Sequence, residues 1–108
     1  MTLERFELTY ISEMLSVASF LEEIEDEKAF ARIEHKVSYG IISGCKSISF
    51  DFSDREMICL DKVTSIALEN AEKEWIWSFR SIRKKVEEEL KERGMIRVDN
   101  VTSTTSNT

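Results

Sequence analysis

The middle of the chain, residues 31–60, alternates apolar and polar residues with a period of two. The alternation runs through Ala31, Ile33, His35, Val37, Tyr39 and Ile41, and it resumes after Ser43-Gly44 at Ile48, Phe50 and Phe52. Such alternation is typical of a strand that buries one face and leaves the other in water. We therefore expect an antiparallel sheet in this part of the protein.

Two predicted turns place the same residues on one face of this sheet. Ser43-Gly44 fits a two-residue hairpin loop, and Ser53-Asp54-Arg55 fits a second turn. Counting outward from both turns gives one inner face, made of Tyr39, Val37, Ile48, Phe50, Ile58 and Leu60. A register slip of one residue would destroy this agreement, so the pattern predicts a three-stranded meander.

Residues 28–36 also fit a helix. Asp26 is a residue type that caps helices, and it would place Glu27 in a first turn. Apolar residues then recur at helical spacing, namely Phe30, Ile33, Val37 and Ile41. We interpret the segment as strand and keep the helix capped by Asp26 as the alternative.

Helical patterns flank the predicted sheet. Before it, apolar residues recur three or four apart from Leu3 to Ile24, with Thr2 as the expected N-cap; after it, the same spacing runs from Asp61 to Arg93, with Gly94 as the C′ glycine. The predicted fold class is α+β, with an N-terminal helix, a three-stranded antiparallel meander, a long C-terminal helix and a short terminal strand within 95–101. Residues 1–101 then form a single domain, and the Ser/Thr-rich residues 102–108 form a disordered tail.

The long predicted helix is the basis for a predicted dimer. Its 33 residues would span about 50 Å, whereas the predicted strands reach only about 25 Å. The helix either breaks near Asn70 or overhangs the sheet, and Trp77 lies off its apolar stripe. The overhanging half requires either the first helix or a second subunit to cover it. Because its apolar residues lie on more than one side, we expect a homodimer through Trp75, Ile76, Trp77, Phe79, Ile82, Val86 and Leu90.

Composition restricts the class of protein. The chain has 108 residues, of which 42% are hydrophobic and 33% are charged, which suits one soluble domain. It has no apolar run near the roughly 18–20 residues of a membrane span, and its start does not resemble a secretory signal. The two cysteines, Cys45 and Cys59, suit free thiols in a cytoplasmic protein.

The acidic residues are concentrated near the N-terminus. The net charge is −6, and residues 1–30 hold eight acids against two bases, while residues 31–94 balance to zero. The densest run, Glu22, Glu23, Glu25, Asp26 and Glu27, predicts a surface for a basic protein partner. Binding to nucleic acid would require the opposite charge on one face, so we do not expect it.

The residue types that carry chemistry do not assemble into a recognisable site. His35 is the only histidine, and the sequence offers no nucleophile and carboxylate placed to act with it. The cysteines lack metal-ligand spacing. The bases of 80–85 precede Glu87, Glu88 and Glu89 at i,i+4 spacing, which predicts an exposed face of ion pairs. We therefore predict no catalytic residue, no metal and no cofactor.

These observations lead to one main functional hypothesis and two alternatives. The main hypothesis is a small interaction or adaptor protein that forms a homodimer and binds a partner with its acidic N-terminal surface. The first alternative is an acidic inhibitor that mimics nucleic-acid phosphates. The second is a small ligand-binding domain or enzyme that uses the groove between sheet and helix, where His35, Tyr39 or Cys59 would meet other polar groups.

Overall fold

The part of the chain that the structure describes is mostly helical, with four helices and one two-stranded antiparallel sheet. A computed structural model describes residues 1–21 and 24–95. In chain order the elements are β1 (Thr2–Glu4), α1 (Arg5–Leu21), α2 (Glu27–Ser43), β2 (Ser47–Ser49), α3 (Asp54–Glu69), a 3₁₀ turn (Lys73–Trp75) and α4 (Ile76–Glu92). The predicted α+β class is confirmed only in this coarse sense. The three-stranded meander, the single N-terminal helix before it and the long C-terminal helix are wrong.

Helix α2 occupies most of what the alternation assigned to a first strand. Asp26 caps it, with its carboxylate accepting a hydrogen bond from the Ala29 amide at 3.1 Å. The buried residues of α2 follow helical spacing and include Phe30, Ile33 and Val37. The helical alternative for residues 28–36 is therefore confirmed. The segment satisfies both periods, and the cap together with the buried helical stripe decides between them.

Ser43-Gly44, predicted as a hairpin loop, forms the C-terminal end of α2. Gly44 follows the helix with a φ of 74°, in the left-handed region that favours glycine at a helix C-terminus. The chain then enters β2, which pairs with β1, and Leu3 lies opposite Ile48. The strand at Ser47–Ser49 is thus real but short, and its partner comes from the N-terminus. Residue Thr2, expected to cap α1, lies in β1.

The second predicted turn is the start of α3. The Ser53 side chain accepts from the Glu56 amide, and the Glu56 side chain accepts from the Ser53 amide, which forms a capping box. Residues 54–69 are therefore helical. Of the predicted inner face, Val37, Phe50 and Leu60 are buried and Ile48 is half-buried, but Tyr39 and Ile58 are exposed.

The predicted long C-terminal helix is interrupted at Asn70, which agrees with one of the two alternatives drawn from the sequence. Helix α3 ends at Glu69, and the Asn70 side chain donates to the Ile66 carbonyl at 2.8 Å. After the 3₁₀ turn, α4 packs against both α1 and α3. The alternative of a break near Asn70 is therefore confirmed.

The break places the apolar stripe of α4 inside the same chain. Phe79, Ile82, Val86 and Leu90 belong to the main core. Helix α4 ends in a Schellman motif, in which the Gly94 amide donates to the Lys91 carbonyl and the Met95 amide to the Leu90 carbonyl. The prediction of Gly94 as the C′ residue is confirmed by its φ of 71°.

The C-terminal predictions fall partly or wholly on residues 96–108, which lie outside the described residues. This applies to the terminal strand within 95–101, to the tail at 102–108 and to the C-terminal boundary of the predicted domain. Across the part of the chain that the structure describes, no helix combines the length and apolarity that a membrane crossing requires.

Two aromatic residues on α4 test this packing directly. Phe79 is 1% exposed in the core, whereas Trp77 is 77% exposed and has the Arg80 guanidinium over its ring. We expect Phe79→Ala to lower the free energy of unfolding by about 3–5 kcal/mol. Trp77→Ala should cost under about 1 kcal/mol, since it removes one exposed cation–π contact. Urea denaturation measures both values. Equal losses in the two variants would contradict the assignment of Phe79 to the core.

Candidate functional site

A groove of about 620 Å³ lies between α2 and β2. We call it the α2–β2 groove. Its helix wall consists of His35, Lys36, Tyr39, Gly40 and Ser43. Its strand wall consists of Cys45, Ile48, Ser49, Phe50 and Asp51.

Gly40 determines how close the two walls approach. A Cβ atom at this position would lie 3.1 Å from both Ile48 Cδ1 and Phe50 Cζ, which is tighter than ordinary side-chain contact. The absence of a side chain therefore allows Ile48 and Phe50 to pack directly on the helix backbone. The result is an apolar floor beneath the groove.

The helix wall presents polar and aromatic side chains at its rim. His35, Tyr39 and Ser43 are four residues apart, so they follow one face of α2. Tyr39 is 71% exposed, and His35 is exposed as well. An apolar floor with a few polar groups at the rim is the usual composition of a binding site.

The buried carboxylate of Glu56 helps to connect the two walls of the groove at the end where Asp51 lies. Its carboxylate accepts hydrogen bonds from Lys36 Nζ at 2.7 Å, from Arg32 Nε at 2.9 Å and from the Ser53 amide at 3.0 Å. Lys36 also donates to the Asp51 carbonyl at 3.0 Å. The carboxylate thus connects α2, the segment after β2 and the start of α3.

The surroundings of Glu56 favour its charged form. Burial alone would raise the pKa of this carboxyl, but hydrogen bonds from Lys36, the Ser53 amide and Arg32 outweigh that effect and lower the pKa below its ordinary value. Glu56 is therefore ionised at neutral pH.

A smaller apolar pocket of about 150 Å³ lies beside the predicted acidic surface. Its lining includes Ile24, Ile58, Cys59 and Val63, with charged residues at the rim. Cys59 is buried, and that burial, together with the negative charges of Asp26 and Glu56, raises its pKa to about 11. Cys45, by contrast, is exposed, and both cysteines are free. Within the described residues, no cluster of His, Cys, Asp or Glu is arranged to hold a metal ion.

The structure separates the residues predicted to bind a self-partner. Phe79, Ile82, Val86 and Leu90 are buried in the core of one chain, because α4 packs against α1 and α3. Trp75 and Ile76 are half-buried, and Trp75 packs edge-on against Tyr10. Trp77 alone of this set is exposed. Their role in a dimer stays a prediction.

The predicted acidic surface has internal partners. Asp26 caps α2 and pairs with Arg55, and the Ala29 amide lowers its pKa most, with Arg55 adding to the effect. Glu25 pairs with Lys62, and Glu27 lies in the first turn of α2. Glu22 and Glu23 lie outside the described residues. The binding of a basic partner here also stays a prediction.

The groove itself was not predicted as a partner site. The alternation places Tyr39, Ile48 and Phe50 on a buried sheet face, and Gly40 lies within the stretch that it predicts as strand. No sequence signal identified the contact of Gly40 with Ile48 and Phe50, which depends on how α2 packs on β2. The comparisons with known proteins add no assignment, since no family model, curated protein or solved structure matches the chain.

The Glu56 network predicts a pH dependence of stability. Because its folded-state pKa is lowered, Glu56 stabilises the fold above its unfolded pKa of about 4.3, and this contribution is lost as the pH falls through the folded value. At pH 7 we expect Glu56→Gln to lower the free energy of unfolding by about 1.5–3 kcal/mol, the range for hydrogen bonds to charged groups. Urea denaturation from pH 7 to pH 3 should show the difference from wild type shrinking below about pH 4. The exposed Glu92→Gln serves as control, and a difference that stays constant with pH would contradict this role.

The two cysteines should differ in reactivity. At pH 8, a thiol of pKa about 11 is ionised in only about one molecule in a thousand, and the thiolate is the reactive form. We expect a disulfide reagent such as Ellman's to modify Cys45 at least about 100-fold faster than Cys59. Cys45→Ser should remove the fast phase. A fast phase that accounts for two thiols would contradict the burial of Cys59.

Proposed function

We propose that the protein is a small interaction protein that binds a segment of a partner protein in the α2–β2 groove. The observation that carries the proposal is the groove itself, which has half-buried Ile48 with the buried Gly40 and Phe50 as its apolar floor and the exposed Tyr39 beside it. Exposed aromatic side chains beside apolar clefts are frequent anchors in protein interfaces.

The groove supports binding better than the surfaces first predicted. A partner can reach the groove without unfolding the chain, whereas most of the α4 stripe is enclosed by α1 and α3. Asp26 and Glu25 are engaged in internal pairs, which weakens the support for an acidic docking surface or a phosphate mimic. A homodimer stays a prediction that light scattering tests.

A small-molecule ligand is the second candidate for the same groove. His35, Tyr39 and Ser43 supply polar atoms along one wall, and the floor supplies apolar contact. The groove is open to solvent, however, and a small ligand is usually enclosed on most sides. This openness favours a polypeptide as the ligand.

A peptide selection tests the proposal. The full chain is used to select from a random peptide library displayed on phage, and the enriched peptides are measured by titration calorimetry. We expect Tyr39→Ala to weaken their binding by about tenfold or more, because Tyr39 forms the helix wall of the groove. Trp77→Ala is the matched control, since it removes an aromatic side chain of similar exposure on α4, outside the groove.

The opposite pattern would refute the proposal. If Trp77→Ala weakens the selected peptides and Tyr39→Ala does not, the partner site lies on α4. If no peptide is enriched above background, the groove does not bind polypeptide segments. Unchanged thermal denaturation of both variants confirms that neither effect arises from misfolding.

A further inference from the structure

The pairing of β1 with β2 fixes which backbone groups of β2 point outward. Met1 and Phe50 exchange both backbone hydrogen bonds, at 3.1 and 2.8 Å. In an antiparallel ladder, residue pairs that exchange bonds alternate with pairs that do not. Leu3 and Ile48 are therefore a bonded pair, whereas Ser47 and Ser49 turn their N–H and C=O groups away from β1.

The two outer edges of this sheet differ in what covers them. On β1, the Thr2 carbonyl accepts from Lys85 Nζ at 3.1 Å, and the Glu4 amide donates to Glu7 Oε1 at 2.8 Å. Glu7 and Lys85 are themselves paired at 2.6 Å. On β2, the outward groups of Ser47 and Ser49 have no backbone or side-chain partner among the described residues. One edge is covered and the other is open.

The open edge lies directly beside the α2–β2 groove. Ser49 and Ile48 line the groove, and Tyr39 stands on the opposite wall. Unpaired edge groups bind another strand readily, and an extended peptide that adds to a sheet edge gains main-chain hydrogen bonds and side-chain contacts together. Two N–H and two C=O groups of Ser47 and Ser49 are available for this purpose.

We propose that an extended segment of a partner protein binds in the groove as a third strand, antiparallel or parallel to β2. This inference rests on the proposed function and specifies the form of its ligand. The segment places alternate side chains on the floor of Gly40, Ile48 and Phe50, so those positions are small or apolar. The intervening side chains face solvent and are polar.

A second copy of the chain fits this edge less well. The β2 edge of another copy lies beside its own α2, so pairing of two β2 edges has to accommodate a second helix next to the first. A single extended segment has no such obstacle. The groove therefore favours a flexible partner segment over pairing of two β2 edges.

Substitution of one edge residue tests the strand addition. Ser49→Pro removes the outward N–H, whereas Ser49→Ala removes only the hydroxyl and keeps the N–H. We expect Ser49→Pro to weaken the binding of a groove-selected peptide by about tenfold or more, and Ser49→Ala to change it by less than about threefold. Both variants lose the Ser49 Oγ contact with Thr2 Oγ1, so that contact cannot explain a difference between them.

Methylation of the peptide backbone provides a test with the wild-type protein. In an added strand, successive peptide amides point alternately toward β2 and away from it. Two series of peptides are compared, one N-methylated at the odd-numbered amides and the other at the even-numbered amides. Methylation should weaken binding by about tenfold or more in one series, whereas the other series should bind almost as tightly as the parent peptide. This readout does not depend on the folding of Ser49→Pro.

The outcomes separate this inference from the proposed function. If Tyr39→Ala weakens the peptide but the methylation series are equivalent and Ser49→Pro is neutral, the groove binds peptides without strand addition and the inference is wrong. A dimer in sedimentation that Ser49→Pro dissociates would also overturn it, since a second copy would then occupy the edge. A period-two methylation pattern supports it.

Discussion

The buried carboxylate of Glu56 is the interaction on which the geometry of the groove depends. It completes the capping box that starts α3 and binds Arg32 and Lys36 from α2. Lys36 in turn binds the Asp51 carbonyl after β2. One ionised side chain therefore fixes the helix wall, the strand wall and the following helix relative to one another. Breaking such a buried network is costly because the remaining charges lose their partners.

The buried carboxylate of Glu7 helps to cover the outer edge of β1, on the side of the sheet opposite the groove. Glu7 binds Lys85 and the Glu4 amide, while Lys85 binds the Thr2 carbonyl. These contacts cover the outer edge of β1 and connect α4 to the N-terminal strand. Natural sheets usually protect their edges from unintended pairing. The absence of a similar cover on β2, within the described residues, is what makes this edge a candidate binding surface.

Local signals predicted several features of the fold. Of the ion pairs predicted on α4, Arg83 pairs with Glu87, but its side chain is only 14% exposed and also binds Asp61, while Lys85 binds Glu7 from α1. Gly94 ends α4 as expected, and Asn70 marks the break between α3 and α4. Such features depend on neighbouring residues, so the sequence contains the information that determines them. The alternative helix at 28–36 was correct for the same reason, because Asp26 caps it.

The strand prediction for the middle of the chain is wrong because these residues fit both the two-residue period of a strand and the 3.6-residue period of a helix. Residues 31–41 alternate, yet Phe30, Ile33 and Val37 also follow a helical stripe. The decisive signals were caps rather than periodicity. Ser53 and Glu56 have the spacing of a capping box, and Gly44 follows the last residue of α2, but both were interpreted as strand turns.

The groove required information that local sequence does not contain. The partner of β2 is β1, at the other end of α1 and α2, so its register depends on how the helices pack. Gly40 contacts Ile48 and Phe50 only after that packing is complete. Alternation could identify Ile48 as a strand residue, but it could not identify a helix as the opposite wall.

Amide hydrogen exchange along β2, measured by NMR on the free protein, tests the open edge most directly. The structure predicts a period-two pattern, in which the Ile48 and Phe50 amides are protected by β1 and the Ser47 and Ser49 amides exchange rapidly. Protection of Ser49 equal to that of Ile48 would show that the edge is already covered. Rapid exchange at Ile48 would show that β1 and β2 do not pair, and either result would contradict the central claim.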